Sequence, residues 1–180
     1  MSYLKELMAQ NDPKQKGDSG ETMLNDWFLT RNLPYVAVCQ SPSTFSNLFS
    51  AHIKRPDFLL LMNSLGLIAV DAKNYTLSGG VYTLELEEEL RRSVSFERLL
   101  RIPVWYAYCD HSSSGQSWFW ISALKALEVG EVRKNKAKNT EFLAIKLEHF
   151  EHISNVSDLA KLYTHTLPST KTISDKALVF

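Results

Sequence analysis

The sequence has few cysteines, no long apolar run and no excess of either charge. Cys39 and Cys109 are its two cysteines, too few for a disulfide framework, and we expect both thiols to be reduced. No apolar run approaches the ~20 residues of a membrane-spanning helix, and residues 1–6 do not have the pattern of a signal peptide. We therefore expect a cytoplasmic protein without a membrane partner.

The charge balance argues against a protein that grips nucleic acid by its overall charge. Twenty lysines and arginines match twenty acidic residues, so the net charge is zero, and positive charge must be concentrated locally to hold phosphates. The one basic cluster, Arg133–Lys138, is consistent with a phosphate contact and, more simply, with a solvated turn between strands. Gly79-Gly80 lacks the spacing and the lysine of an ATP-binding loop.

Two apolar runs, Phe58–Met62 and Leu65–Val70, are joined by a short polar turn and predict a buried β-hairpin. Asp57 comes just before the first strand, and Asp71 and Lys73 end the second. In an antiparallel pair these ends lie side by side. Because side chains alternate along a strand, Asp71 and Lys73 share one face. The pattern predicts a metal site with a lysine beside it.

Charged residues at hairpin ends are often merely solvated, and a single aspartate there would mean little. Here, however, residues 67–70 are all apolar, as expected of a central strand that is covered on both faces. Burying Asp71 at the end of such a strand costs roughly several kcal/mol unless a cation or hydrogen bonds compensate. The conjunction favours a functional site.

A helix is predicted where apolar residues recur at helical spacing between Thr22 and Leu29, after a polar loop and before Pro34. Glu21 then lies in the first turn. Two interpretations are open for this residue: Asp18-x-x-Glu21 fits a capping box, and its position upstream of the hairpin also fits a site residue.

Glu21, Pro56-Asp57 and Asp71-Ala72-Lys73, in this order, resemble the PD-(D/E)XK nuclease superfamily. The resemblance implies the restriction-endonuclease-like fold, an α/β architecture with a central mixed β-sheet flanked by helices. It covers about residues 17–125 of one predicted domain, 1–180, with 1–16 and 126–180 peripheral. This chain has Asp71 where many members have glutamate.

The resemblance also implies an activity, that of a Mg²⁺-dependent phosphodiesterase, an endo- or exonuclease with DNA as the favoured substrate. Asp57, Asp71 and the Ala72 carbonyl would bind Mg²⁺, and we expect Mn²⁺ to substitute. Lys73 would stabilise the negative charge that develops on the phosphate. Glu21 would orient the site or help to bind a second ion.

Other basic residues are candidates for the substrate backbone, namely Lys54 and Arg55 beside Asp57, and Arg98 on a later helix. For Arg98 a solvated helix face is the simpler interpretation. A homodimer or larger complex is expected if both strands of a duplex are cut. The alternative functions are a nuclease acting on RNA or branched DNA, and a non-catalytic nucleic-acid-binding or protein-interaction module that retains the fold.

Beyond the hairpin, alternation and helical spacing predict further elements. After the hairpin comes a helix whose buried face would comprise Leu90, Val94, Leu99 and Leu100. A strand, a crossover helix and another strand predict one parallel, right-handed pairing. The predicted elements are helices at 3–10, 87–101 and 158–165 and extended segments at 34–40, 81–84, 102–108, 117–122 and 142–147.

Overall fold

The computed structural model describes residues 13–46, 49, 52–63, 66–137 and 139–164. The predicted helix at 3–10 lies outside this part of the chain. The strands are β1 (Tyr35–Ala37), β2 (Phe58–Met62), β3 (Gly66–Lys73), β4 (Val81–Glu85), β5 (Val104–Cys109), β6 (Trp118–Ser122), β7 (Glu131–Asn135), β8 (Thr140–Lys146) and β9 (Glu151–Ile153).

Six of these strands form the central sheet, in the order β1-β2-β3-β5-β6-β9, and the other three form a small sheet, β4-β8-β7. In the central sheet β3 and β5 are parallel, and the remaining neighbours are antiparallel. The prediction of an α/β protein with a mixed sheet and one parallel crossover pair is confirmed.

The helices are α1 (Pro13–Thr30), α2 (Arg92–Leu100), α3 (Ala123–Val129) and α4 (Lys161–Thr164), and a π-helical turn, Leu86–Arg91, leads into α2. Leu24, Trp27 and Phe28 of α1 join the core on one face of the sheet. The opposite face is covered by α2, α3 and the small sheet. Among these described helices none is long and apolar enough to cross a membrane.

The central strand β3 is buried on both faces, as its continuous apolar run predicts. Ile68 and Val70 pack in the α1 core, whereas Ala69 packs in the α2 core. By alternation, Asp71 and Lys73 lie on the same face as Ala69, towards α2. The site residues are therefore presented to the helix that crosses over from β3 to β5.

Helix α1 begins earlier than predicted, so Glu21 is not in its first turn. The helix is continuous from Pro13, eight residues before Glu21, and the capping-box interpretation is wrong. Proline is well accommodated in the first turn of a helix, and tertiary packing overrides the weak propensity of Gly17 and Gly20. Glu21 therefore has a position that helix capping does not explain.

The predicted buried face of the 87–101 helix is wrong in its second half. Leu90 is buried, but Leu99 and Leu100 are exposed, and Phe96 is buried instead. A π-helical turn has more residues per turn than an α-helix, so the turn at Leu86–Arg91 shifts the face that the following α-helix presents to the sheet.

Residues beyond 125, which the sequence analysis places at the periphery, contribute to both cores. Leu143 and Ile145 of β8 pack beside α2, and Ile153 of β9 lies in the α1 core. The predicted strand at 142–147 is confirmed as β8, with its start at Thr140. The predicted helix at 158–165 is a 3-10 turn, Val156–Ala160, followed by α4.

Candidate active site

Asp57 and Asp71 face each other across the β2–β3 hairpin. The register pairs Phe58 with Val70, and the Asp57 amide donates to the Val70 carbonyl at 3.0 Å, so the next residues along, the two aspartates, are opposite. Their side chains share a hydrogen bond. Asp57 Oδ2 also accepts from the Ala72 amide at 2.8 Å.

Two lysines converge on one oxygen of Asp71. Lys54 Nζ lies 2.6 Å and Lys73 Nζ 3.0 Å from Asp71 Oδ2. Asp71 is 3% exposed and Lys73 is 6% exposed, and the Lys73 ammonium lies 5.6 Å from the centroid of the Tyr106 ring. The ion pairs are therefore largely withdrawn from water, where they are screened much less than surface pairs. Lys54, which is predicted to contact the substrate, is part of this cluster.

A third acid, Glu89, completes the cluster and was not among the site residues predicted from the sequence. Its Oε2 accepts from Lys54 Nζ at 2.5 Å and from Lys73 Nζ. Asp71 and Glu89 thus hold the same two ammonium groups between them.

The π-helical turn places Glu89 over the sheet. The Glu85 carboxylate accepts from the amides of residues 87–89, which satisfies backbone donors that a helix start leaves free. Leu86 and Leu90 are buried and anchor the turn. Leu86, Glu89, Leu90 and Ser93 recur at three- and four-residue spacing, a helical pattern that could have identified Glu89.

The aspartates have opposite electrostatic environments. Burial and the neighbouring Asp71 charge raise the pKa of Asp57 to about 9. Burial also favours the protonated form of Asp71, but the Lys54 and Lys73 ammonium groups outweigh it and hold the pKa of Asp71 below its usual range. For both lysines, the carboxylates overcome burial and raise the pKa. At neutral pH the metal-free site thus holds one proton on Asp57 and two ion-paired carboxylates.

The raised pKa of Asp57 predicts that the metal-free protein loses stability as the pH rises. Its pKa is about 9 in the folded state against an ordinary value of 3.8. At pH values between these two, the folded state holds a proton that the unfolded state has released, so raising the pH favours unfolding. The lowered pKa of Asp71 acts only at the acid end, where stability falls as the pH drops.

Urea unfolding in EDTA at about pH 5, 7 and 9 checks this expectation, with a slope of at most about 1.4 kcal/mol per pH unit for a single proton. Asp57→Asn removes the titrating group and should flatten the decline. An equally steep decline in Asp57→Asn would mean that another group is responsible.

Helix α1 brings Glu21 to the same end of the sheet. Gly20 lies against Asn74, just after β3: a Cβ at Gly20 would be 2.9 Å from the Asn74 Cβ, so glycine permits the close approach. Glu21 is half-buried, and its negative charge contributes to the raised pKa of Asp57. The structure therefore brings all four predicted catalytic residues to one end of the hairpin.

Arg55 and Arg98 do not join the cluster. The Arg55 guanidinium donates to the carbonyls of Cys39, Gln40 and Ser41 and lies 4.6 Å from the centroid of the Phe45 ring, so it organises the preceding loop. Arg98 is exposed near the C-terminal end of α2, where it lines a separate cleft with Pro103. The helix crosses back along the sheet, so this end lies away from Asp71.

The donor set suits a hard divalent cation bound by two side chains. Asp57 and Asp71 must share a proton when no cation is present, and a cation between them would replace that proton. Mg²⁺ often binds through one or two carboxylates and keeps several waters. No group of three or more potential metal-ligating side chains occurs among the described residues, so the fit is to two carboxylates, with the Ala72 carbonyl on the chain between Asp71 and Lys73.

A cleft of about 500 Å³ opens beside the cluster. Tyr75 and three acidic side chains, Glu85, Glu88 and Glu89, line it together with Asn135 and Thr140, the paired ends of β7 and β8. Residues 133–137 of the basic cluster therefore belong to a hairpin at the edge of the cleft, and Lys138 lies outside the described residues. Arg133, Lys134 and Lys136 are all exposed there.

No protein-family model, curated protein or solved structure matches this chain.

Proposed function

We propose that this protein is a metal-dependent nuclease of the PD-(D/E)XK superfamily that hydrolyses phosphodiester bonds. The observation that carries the proposal is the pair of facing carboxylates, Asp57 and Asp71, with the buried Lys73 ammonium 3.0 Å from Asp71 Oδ2. The crossover from β3 through α2 to the parallel β5 is consistent with the restriction-endonuclease-like fold. DNA as the substrate follows from the resemblance to that superfamily.

In this proposal each residue has a separate task. Asp57, Asp71 and the Ala72 carbonyl would hold a divalent cation, Mg²⁺ or Mn²⁺, which would supply Lewis-acid chemistry. Lys73, which lies 3.0 Å from Asp71 Oδ2, would stabilise the negative charge that develops on the phosphate in a site with little water. Glu21 adds negative charge next to Asp57, which favours cation binding.

The proposed path of the nucleic acid backbone follows the β7–β8 edge of the cleft, because the side beside Glu89 also carries Glu85 and Glu88 and would repel phosphates. This edge carries the exposed cations of the hairpin, Arg133, Lys134 and Lys136. Arg133 already pairs with Glu131 at 2.7 Å, and Lys134 is registered opposite Glu141. Lys136, in the turn, is therefore the best placed of the three for a phosphate.

Replacing both Lys134 and Lys136 by alanine should weaken binding of DNA in Ca²⁺ and lower the salt dependence of log Kd. Each lost phosphate contact reduces that slope by about 1. Fluorescence anisotropy over a range of salt concentrations measures both quantities. Lys161→Ala on α4, where Lys161 pairs with Asp158 at 2.8 Å, is the control for a lost surface charge. A double variant that binds DNA as well as Lys161→Ala does would show that the hairpin is not part of the DNA interface.

A non-catalytic module is the second candidate, and one observation favours it. Lys54 and Lys73 already neutralise the charge of Asp71, so the cluster needs no metal ion for its charges to be balanced. A module of this kind gains no stability from divalent ions. A metal site instead raises Tm with Mn²⁺ by mass action on the folded state, and Asp71→Asn removes the gain.

The proposed activity is tested with end-labelled single-stranded DNA, duplex DNA and RNA, each incubated with Mg²⁺, Mn²⁺ or EDTA. Cutting that needs a divalent ion supports the proposal, and the substrate consumed fastest identifies the nucleic acid class. A blunt and a branched duplex of the same sequence separate end cutting from junction cutting. No cutting of any substrate, together with no change of Tm in Mn²⁺, would leave the non-catalytic module.

A further inference from the structure

Glu89 is set apart from the two glutamates that precede it. Glu87 pairs with Arg91 at 2.7 Å and Glu88 with Arg92 at 2.6 Å, each four residues ahead on the helix surface. The Glu88 side chain is 65% exposed, against 23% for Glu89. Only Glu89 of the three accepts from the lysines of the candidate site.

We infer that Glu89 is a positioning residue, which holds the Lys54 and Lys73 ammonium groups in the site while a cation occupies Asp71. The inference rests on the proposed function, because it assigns a task within that site. It concerns the chain's own residues and needs no further ligand.

The argument follows from what a cation does to the cluster. In the metal-free protein Asp71 and Glu89 hold the two lysines jointly. A divalent cation on Asp71 cancels the negative charge that attracts both ammonium groups, which the cation also repels. Of the carboxylates in the described cluster, Glu89 is then the one that does not bind the cation. The buried Lys73 needs such a partner, since an unpaired buried charge is strongly unfavourable.

The same reasoning predicts the effect of Glu89 on metal binding. Without the Glu89 charge, both ammonium groups depend on Asp71 alone and compete with a cation for its oxygens. Glu89→Gln keeps the size of the side chain and removes the charge. We expect it to weaken Mn²⁺ binding by about tenfold, equivalent to ~1.4 kcal/mol, and to slow single-turnover cutting by roughly 10²-fold, as for loss of an electrostatic catalytic contact.

The experiment compares wild type, Glu89→Gln, Glu89→Asp and the matched control Glu87→Gln, because Glu87 pairs with Arg91 and does not line the cleft beside the cluster. Mn²⁺ affinity is measured by calorimetry, cutting by single-turnover rates, and the exposure of Lys54 and Lys73 by amine-reactive labelling with mass spectrometry. We expect Glu89→Gln to bind Mn²⁺ weakly, to cut slowly and to label strongly at both lysines. Glu89→Asp should recover part of each property, and Glu87→Gln should behave as wild type.

Two failures are distinguishable. If wild type cuts and Glu89→Gln matches Glu87→Gln in affinity, rate and labelling, Glu89 does not position the lysines and the nuclease proposal stands. If wild type does not cut, but Mn²⁺ affinity and lysine labelling still differ between Glu89→Gln and Glu87→Gln, the nuclease proposal fails and the positioning role stands. Equal labelling in all variants with no Mn²⁺ binding overturns both.

Discussion

Replacing Asp71 by asparagine is expected to reduce metal-dependent cutting to background and to lower the free energy of unfolding by about 3–5 kcal/mol, as for removal of one partner of a buried ion pair. Asp71 is 3% exposed and is a direct partner of both lysines. Its loss leaves two partly or fully buried ammonium groups with Glu89 alone. Urea unfolding in EDTA and a cutting assay in Mn²⁺ measure the two effects.

Asp57→Asn is the matched control, because it changes the opposite member of the same pair. Asp57 is protonated at neutral pH in the metal-free protein, with a pKa of about 9, so a neutral amide of the same shape should not lower stability in EDTA. At neutral pH it should raise stability, because the unfolded state no longer gains by releasing the Asp57 proton. Cutting and Mn²⁺ binding should nevertheless be lost, since an amide cannot become the second carboxylate. Equal destabilisation by Asp57→Asn and Asp71→Asn would contradict the charge assignment of the pair.

Replacing Lys73 by methionine should separate catalysis from stability. We expect cutting to fall by roughly 10²–10³-fold, the usual effect of removing one group that stabilises transition-state charge. Stability should fall less than in Asp71→Asn, because Lys54 still lies 2.6 Å from Asp71 and 2.5 Å from Glu89, so both carboxylates keep an ammonium partner. Single-turnover cutting at saturating Mn²⁺ and urea unfolding provide the two readouts.

Lys125→Met serves as the control for Lys73→Met, since Lys125 pairs with Glu128 at 3.0 Å on α3 and is not part of the cluster. This variant should cut at the rate of wild type. A Lys73→Met protein that is folded, binds Mn²⁺ and cuts at the rate of wild type would remove Lys73 from the chemistry.

The hairpin that carries the aspartates was predictable from local rules. Two apolar runs joined by a polar turn predict antiparallel pairing, and alternation then places Asp71 and Lys73 on one face. The structure has Phe58 opposite Val70, whereas a two-residue turn at 63–64 would place Phe58 opposite Ala69, so local rules predict the hairpin but not its register. The parallel pair β3–β5 was also predictable, because a helix lies between two buried strands.

Glu89 and Lys54 could not be placed by the same rules. Lys54 precedes β2 in a loop, where strand alternation gives no direction for a side chain. Glu89 lies on a π-helical turn that begins at Leu86, one residue before the predicted helix, so the predicted helix leaves out the first residue of the pattern that groups Glu89 with the buried Leu90. The small sheet packs so that the β7–β8 hairpin lies beside Glu89. This placement depends on tertiary packing, which no local sequence pattern predicts.

The central claim is that Asp57 and Asp71 hold a divalent cation next to Lys73 and that this arrangement cuts phosphodiester bonds. The most direct test is the single-turnover rate at which wild type nicks supercoiled plasmid in Mn²⁺, compared with EDTA and with Lys73→Met in Mn²⁺. We predict nicking by wild type in Mn²⁺, none in EDTA, and a rate roughly 10²-fold lower for Lys73→Met. Nicking that is equally fast in EDTA, or no nicking by folded wild type in Mn²⁺, would contradict the account.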